Sequence, residues 1–429
     1  MMKIPIDLSI KSPSSMWNIY LSIVNVTHQL GVCVRMDSVV KPLLENDVDV
    51  FESSVRLLVD QGKASVDSVL SRSDDFIDIC KMMKKAKEDG KTIHITGMGR
   101  SGKSGMLTGE LLKNIGFHVS YIGKTLARPI REGDIAIAFS GSGWTRETCA
   151  DIDYAIKKGA TIIGITADLR SKIGRISDVV LRLPGKTDIP EGSRYVTKQM
   201  EQIIKTPLAP MGTTFELCVI LFGAGLIGGL YSTSDYIEGF KTISTKMLSD
   251  LDWTLSDLLS YQNNRAQLID VIHLFENAIM NRHPSYWIGS GLTDIVAGMH
   301  AMRFQHLKSD VELTYDWRFR EKNHLLVLIS GSGETPSILH YANDAREIGM
   351  NVLGITAYMP SSLSKMCTHT LVVHGRDSRE SAYNKRINGS AELFLPAFEY
   401  STANVLDGIV AQLAFNLGVS EHEMEYEHA

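Results

Sequence analysis

Ser140-Gly141-Ser142-Gly143-Trp144-Thr145 recurs 190 positions later as Ser330-Gly331-Ser332-Gly333-Glu334-Thr335, and the fold follows from what surrounds the two copies. At the same register Gly164-Ile165-Thr166-Ala167 returns as Gly354-Ile355-Thr356-Ala357, and Ala155 and Gly159 return as Ala345 and Gly349. Upstream, Gly97-Met98-Gly99 matches Gly289-Ser290-Gly291 at a register of 192, a drift of two residues that a loop absorbs. The chain is a tandem duplication. In the first half the short apolar runs are Thr92–Thr96, His118–Ile122, Ile135–Phe139, Thr161–Thr166 and Val179–Leu183. In the second they are Tyr286–Ile288, Val311–Thr314, Leu325–Ile329, Asn351–Thr356 and Thr370–Val373. β-Branched runs of this length, separated by amphipathic segments and closed by glycines, predict parallel strands joined by crossover helices, an α/β fold in each half. Residues 41–90 and 232–282 carry apolar residues at helical spacing, as at Leu255, Leu258, Leu259 and Leu268, Val271, Ile272. These predict helical segments that precede and flank each sheet, the second stretch also connecting the halves.

Composition narrows the function classes. At 429 residues the chain has room for two or three domains, each with its own core. Hydrophobic residues make up 44% and charged residues 22%, which excludes collagen-like and disordered classes. With 44 Lys and Arg against 49 Asp and Glu the formal charge is -5, a poor balance for a general nucleic-acid binder. Cys33, Cys80, Cys149, Cys218 and Cys367 are scattered with no C-x-x-C pair. That pattern fits reduced thiols in a cytoplasmic protein and argues against structural zinc. The apolar stretch from Trp17 to Val34 is interrupted by Asn25, His28 and Gln29, so neither a membrane span nor a signal peptide is expected there. The first 35 or so residues show no clear period, and residues 1–44 are set apart as an extension before two domains, 45–235 and 236–429.

Two loops carry the chemistry. Gly97-Met98-Gly99-Arg100-Ser101-Gly102-Lys103-Ser104 follows a strand and opens a helix. It satisfies both the G-x-x-x-x-G-K-S and the G-x-G-x-x-G patterns, in which glycines let backbone approach an anion at a helix N-terminus. Neither full reading survives its second requirement. The strand Ile135–Phe139 ends in Ser140, where a nucleotide hydrolase needs a magnesium-holding Asp. The second strand ends at Ile122-Gly123-Lys124, where a dinucleotide site needs an acid. What remains is an anion cradle. In the SGSG loop, the hydroxyls of Ser140, Ser142 and Thr145 can converge on a phosphate beside the glycine-permitted turn. The plainer alternative is a serine-rich helix N-cap.

With these motifs in view, the sequence resembles the sugar isomerase (SIS) domain family twice over, and within it the 6-phospho-3-hexuloisomerases. The resemblance rests on Gly97–Gly102, Ser140–Gly143, Gly164–Thr166 and the stretch Pro207–Leu217. In the second half it rests on Ser330–Thr335, Phe398-Glu399, Leu406-Asp407-Gly408 and the terminal His428-Ala429. It covers about residues 45–429. The resemblance implies two flavodoxin-like domains, each a five-stranded parallel sheet flanked by helices. It also implies a phosphorylated sugar as ligand and isomerisation through an enediolate without metal or organic cofactor.

Roles follow residue by residue from that resemblance. Glu216 matches the glutamate closing the P-x-G-T-x-x-E stretch and is the first choice for the base, with Glu201 behind it. The alternative for Glu216 is an idle first-turn carboxylate that only favours the helix dipole. His428 matches the histidine near the family's C-terminus. A frayed terminal histidine is its competitor. Arg100 and Ser101, with Ser140, Gly141, Ser142, Gly143 and Thr145, form the expected phosphate cradle, although Arg100 could equally be a solvated helix residue. The second-repeat equivalents are Thr293, Ser330, Ser332, Glu334, Thr335 and Glu399. Neither half is a complete family copy. Trp144 stands where the second repeat has Glu334, Leu292 stands where the first has Arg100, and the second repeat lacks P-x-G-T. The missing parts are complementary, which predicts a composite site: the loops and Glu216 of the first half completed by His428 of the second.

The expected function is a phosphosugar isomerase interconverting a 3-hexulose 6-phosphate and fructose 6-phosphate. The rival is a non-catalytic sugar-phosphate-binding regulator or scaffold built from degenerate domains, and a third possibility is isomerisation of a pentose or amino-sugar phosphate. No DNA-binding module accompanies the repeats. The expected partner is the small phosphosugar alone, with no nucleic acid or membrane, in a homo-oligomer or an intramolecular pseudo-dimer.

Overall fold

The computed structural model describes residues 48–185, 209, 213–232, 235–313, 320–375, 393–420 and 423–424. Its first half contains β1 (Thr92–Thr96), β2 (His118–Tyr121), β3 (Ile135–Phe139), β4 (Thr161–Thr166) and β5 (Val179–Arg182) in the order β2-β1-β3-β4-β5. The second contains β6 (Ser285–Ile288), β7 (Val311–Glu312), β8 (Leu325–Ile329), β9 (Asn351–Thr356) and β10 (His369–Val372) in the order β10-β9-β8-β6-β7. Every strand pairing is parallel, and the two orders are the same when each half is counted from its own first strand. The ten strands fall on the ten runs read from the sequence. β1, β3 and β8 are buried along their whole length, as strands of a sheet covered on both faces must be.

Helices supply that cover. The first half has α1 (Asp49–Leu70), α2 (Ser73–Glu88), α3 (Gly99–Asn114), α4 (Arg146–Lys157), α5 (Lys172–Ile176) and α6 (Thr213–Tyr231). The second has α7 (Tyr236–Ser260), α8 (Gln262–Met280), α9 (Leu292–Gln305), α10 (Pro336–Ile348), α11 (Ser362–Met366) and α12 (Ala397–Leu417). The helical stretch 41–90 breaks at Ser71 and Arg72 between α1 and α2, a division the apolar spacing does not announce.

The halves are interlocked. α1 packs on α12 of the other half, and α7 packs on α6 in return. The start of α1 is tied across this contact, the Phe51 N–H donating to Gln412 Oε1 at 3.0 Å. Phe222 and Leu226 of α6, Val405 and Ile409 of α12, Leu107 of α3 and Val296 of α9 belong to one apolar core that runs through both halves. Each fully buried side chain of this size contributes roughly 1.5–3 kcal/mol. Smaller cores lie under α4, around Ala136, Ile152 and Ile162, and under α10, around Leu326, Ile338 and Val352. α6 is apolar all round, with every residue from Thr213 to Leu230 except Glu216 buried. Its length and composition would let it cross a membrane, yet 94% of its apolar window is enclosed by the rest of the chain, the position expected of a core helix.

The two halves share geometry where they differ in chemistry. Beneath the first sheet, buried His94 Nε2 lies 3.1 Å from Asp134 Oδ2. The matching positions of the second half hold Tyr286 and His324, whose hydroxyl and Nδ1 are 3.2 Å apart.

Candidate functional site

Three segments meet at the carboxyl ends of β1 and β3. In this strand order the crossovers leave β1 and β3 toward opposite faces, so a crevice opens between their loops. The loop Gly97 to Ser101 ends β1 and opens α3. The loop Ser140 to Thr145 ends β3 and opens α4. The third segment is the start of α6. The start of α6 touches both loops, and the first loop lies against the end of β3. A Cβ placed on Gly97 would lie 2.8 Å from the Phe139 carbonyl, and one on Gly141 would lie 3.2 Å from the Phe215 ring. Ser101 Oγ donates to Glu216 Oε1 at 2.8 Å.

The SGSG loop is braced from within. The Gly143 N–H reaches both the carbonyl and the hydroxyl of Ser140, each at 3.1 Å. Ser140 Oγ lies 3.0 Å from Thr145 Oγ1, and Ser142 Oγ accepts from the Trp144 N–H at 3.2 Å. The second copy repeats this pattern, with Ser330 Oγ 2.9 Å from Thr335 Oγ1 and the Glu334 N–H 3.2 Å from Ser332 Oγ. Gly143 and Gly333 have φ of 67° and 66°, the left-handed region. A Cβ on Gly143 would also fall 1.9 Å from Ser171 Oγ, so only glycine fits. Thr145 and Thr335 stand at the N-cap positions of α4 and α10, but neither side chain caps its helix. The N-cap alternative therefore does not describe what these hydroxyls do. Ser140 is buried and acts as the brace, while Ser142 is exposed and Thr145 half-buried. Exposed Met98 and Trp144 stand beside the crevice.

Arg100 is placed differently from the expected cradle. Its guanidinium turns into the contact between the halves, with Nη2 2.7 Å from Asp407 Oδ2 and Nη1 donating to Thr213 Oγ1 at 2.7 Å. Thr213 Oγ1 in turn donates to Asp407 Oδ2 at 2.5 Å. His300 Nε2 and Arg303 Nε lie 3.6 and 3.8 Å from the same carboxylate. Burial alone would push the Asp407 carboxyl up, but Arg100, His300 and Arg303 outweigh it and hold the group well below the usual carboxylate range.

The two halves differ at their glutamates. Glu216 is half-buried and open to the crevice, whereas Glu399 is 1% exposed. Thr293, at the position of Ser101, donates to the Ile329 carbonyl at 3.0 Å. Glu334 Oε1 accepts from the Ser362 N–H at 2.9 Å. Glu201 and His428 lie outside the described residues. Burial pushes the thiols of Cys80 and Cys367 up to about 12 and raises that of Cys149, so none of the three offers a ready thiolate. Among the described residues no three of His, Cys, Asp and Glu are gathered closely enough to hold a metal ion. In the sequence, Asp407 falls within Leu406-Asp407-Gly408 and Thr213 within Pro207–Leu217, with nothing that singles out either side chain. The available signal was that Glu399 and Asp407 are the sole charges in α12.

The SIS domain model matches residues 88–200 and 279–385, together about half of the chain and once in each half. The chain belongs to the SIS domain family. The two SIS segments hold the two sheets, and both SGSG loops fall inside them. A protein of Aeropyrum pernix, itself uncharacterized, is 35% identical over 148 residues, which are 34% of this chain and 69% of that one. The 3-hexulose-6-phosphate isomerase of Bacillus subtilis is 31% identical over 130 residues, 30% of this chain and 65% of the relative. A candidate phosphosugar isomerase from Silicibacter pomeroyi shares the fold across both halves, with a TM-score of 0.56 at 16% identity, covering 86% of this chain and 99% of that one.

Proposed function

We propose that the protein is a phosphosugar isomerase that interconverts a 3-hexulose 6-phosphate and fructose 6-phosphate, with its operative site in the first half. The observation that carries this reading is the 2.8 Å hydrogen bond from Ser101 to Glu216, which aims an accessible carboxylate into the crevice beside the SGSG loop. The relatives described above support the substrate class.

The reaction asks for one mobile proton. Glu216 takes the C2 proton next to the C3 ketone, leaving a 2,3-enediolate, and returns it to C3 as the carbonyl forms at C2. The proton on the C2 hydroxyl moves to the oxygen at C3, so atoms balance without an outside reductant. Ser142, Thr145 and the backbone of the loop hold the phosphate, and Ser101 fixes the plane of the carboxylate. In the direction from fructose 6-phosphate, His428 of the second half assists opening of the furanose ring; the 3-hexulose, with O6 phosphorylated, has no such ring to open.

Incubating the purified chain with 3-hexulose 6-phosphate and following fructose 6-phosphate tests the reading directly. Turnover that disappears in Glu216→Gln is expected. Thermal stabilisation by fructose 6-phosphate with no turnover of any hexulose, pentose or amino-sugar phosphate would instead favour the non-catalytic reading, which burial of Glu399 in the second half already suits.

A further inference from the structure

We propose that Asp407, from the second half, is a positioning residue for the first half's site, and that this tie makes the duplicated chain a one-site enzyme. The inference rests on the isomerase reading and adds a residue 191 positions from Glu216 that touches no substrate.

The argument begins with what Asp407 grips. One carboxylate oxygen, Oδ2, receives both Arg100 and Thr213, and Arg100 and Thr213 are bonded to each other. The three side chains close a triangle. Each partner is a near neighbour of a group in the crevice. Arg100 immediately precedes Ser101, and Thr213 lies three residues before Glu216 on the same helix. A charge from the other half, its side chain 1% exposed, therefore fixes the starts of both α3 and α6. Those are the two helices whose first turns supply the Ser101–Glu216 hydrogen bond. At such burial the carboxylate cannot turn to water, and with His300 and Arg303 behind it on its own half the triangle is held in a single arrangement.

The mirror position lacks the device. Arg100 corresponds to Leu292, and Asp407, eight residues beyond Glu399, corresponds to Ala224, eight beyond Glu216. Both Leu292 and Ala224 are buried. The fold thus buries apolar side chains at the matching positions, where the polar triangle has no counterpart. Desolvating an ion pair is costly, and apolar replacements of similar volume are often as stable. That the polar triangle stands on the side where Glu216 is open, and is missing on the side where Glu399 is buried, ties it to the site.

The test uses the full chain with Asp407→Asn, which keeps shape but removes charge, and Thr213→Val, which keeps the ion pair but removes the hydroxyl that links it to α6. Turnover of 3-hexulose 6-phosphate and the thermal unfolding midpoint are measured for both and for the unmodified chain. Misplacing a reacting group by about 1 Å costs about 10²-fold, so the expected result is a kcat lower by about that factor in Asp407→Asn and by about tenfold in Thr213→Val. KM should stay within about threefold in both, since the phosphate-facing hydroxyls are untouched. An unchanged kcat in Thr213→Val overturns the proposal. So does a rise in KM alone, which would mean that Arg100 meets the phosphate itself. A kcat loss that follows the lost folded fraction would make the triangle purely structural. An unmodified chain that turns over no phosphosugar sinks the isomerase reading and this inference together.

Discussion

Ser101 Oγ and Glu216 Oε1 are 2.8 Å apart although 115 residues separate them in the chain. One stands in the first turn of α3, the other in the first turn of α6, and both are half-buried at the crevice between the loops of β1 and β3. A hydroxyl that donates to one carboxylate oxygen leaves the second oxygen to accept a proton from carbon. It also removes one rotational freedom from a side chain that would otherwise sample several positions.

Replacing Glu216 by Gln keeps the side chain's size and its bond to Ser101 but removes the base. The expected loss in kcat is about 10²–10⁴-fold, the usual range for a general base. Ser101→Ala should cost less, about tenfold, since the carboxylate stays in place but less well aimed. Steady-state turnover of both variants against 3-hexulose 6-phosphate checks this, and an active Glu216→Gln would remove the residue from the mechanism.

The two SGSG loops share one geometry, but only the first opens beside an accessible glutamate. Ser142→Ala should therefore raise KM by about tenfold, equivalent to about 1.4 kcal/mol of lost binding, while Ser332→Ala should have a clearly smaller effect. Equal effects of the two substitutions would point to two operative sites.

Gly143→Ala places a Cβ 1.9 Å from Ser171 Oγ at a φ of 67°. Left-handed backbone costs about 1–2 kcal/mol for a residue with a side chain, and the overlap adds to it. Gly99→Ala meets nothing within 4 Å at a φ of 55° and should show the backbone cost alone. Denaturant midpoints should therefore fall further for Gly143→Ala, and adding Ser171→Ala should recover part of the difference.

Asp134 makes stability depend on acid. Burial pushes its carboxyl up, but N–H groups of Thr92 and Arg131 and the His94 ring outweigh that and hold it below the ordinary value. The native state thus binds fewer protons than the unfolded one as acid is added. The stabilisation is fully present above the unfolded carboxyl's value, near 4, and disappears as pH falls through the native value. Urea unfolding at pH 7 and at pH 3.5 should show a smaller acid-induced loss in Asp134→Asn than in the unmodified chain.

Local pattern carried the architecture. β-Branched runs such as Ile135–Phe139 and Asn351–Thr356 declare strands because a strand buried on both faces must be apolar at successive positions, and Gly141 and Gly143 beyond the first permit the turn into α4. The register of 190 relates the two halves from the sequence alone. The placement of side chains was another matter. An arginine in the first turn of α3 can reach a phosphate, water or a carboxylate with similar ease, and spacing in the chain does not choose among them. Asp407 chooses, from 307 residues away, because the packing of the two halves delivers it into a buried position where one charge demands another. The same packing left Glu216 open and closed over Glu399, two glutamates that follow the same phenylalanine in sequence. Periodicity reports which face of an element is buried, but only the tertiary structure decides what it is buried against.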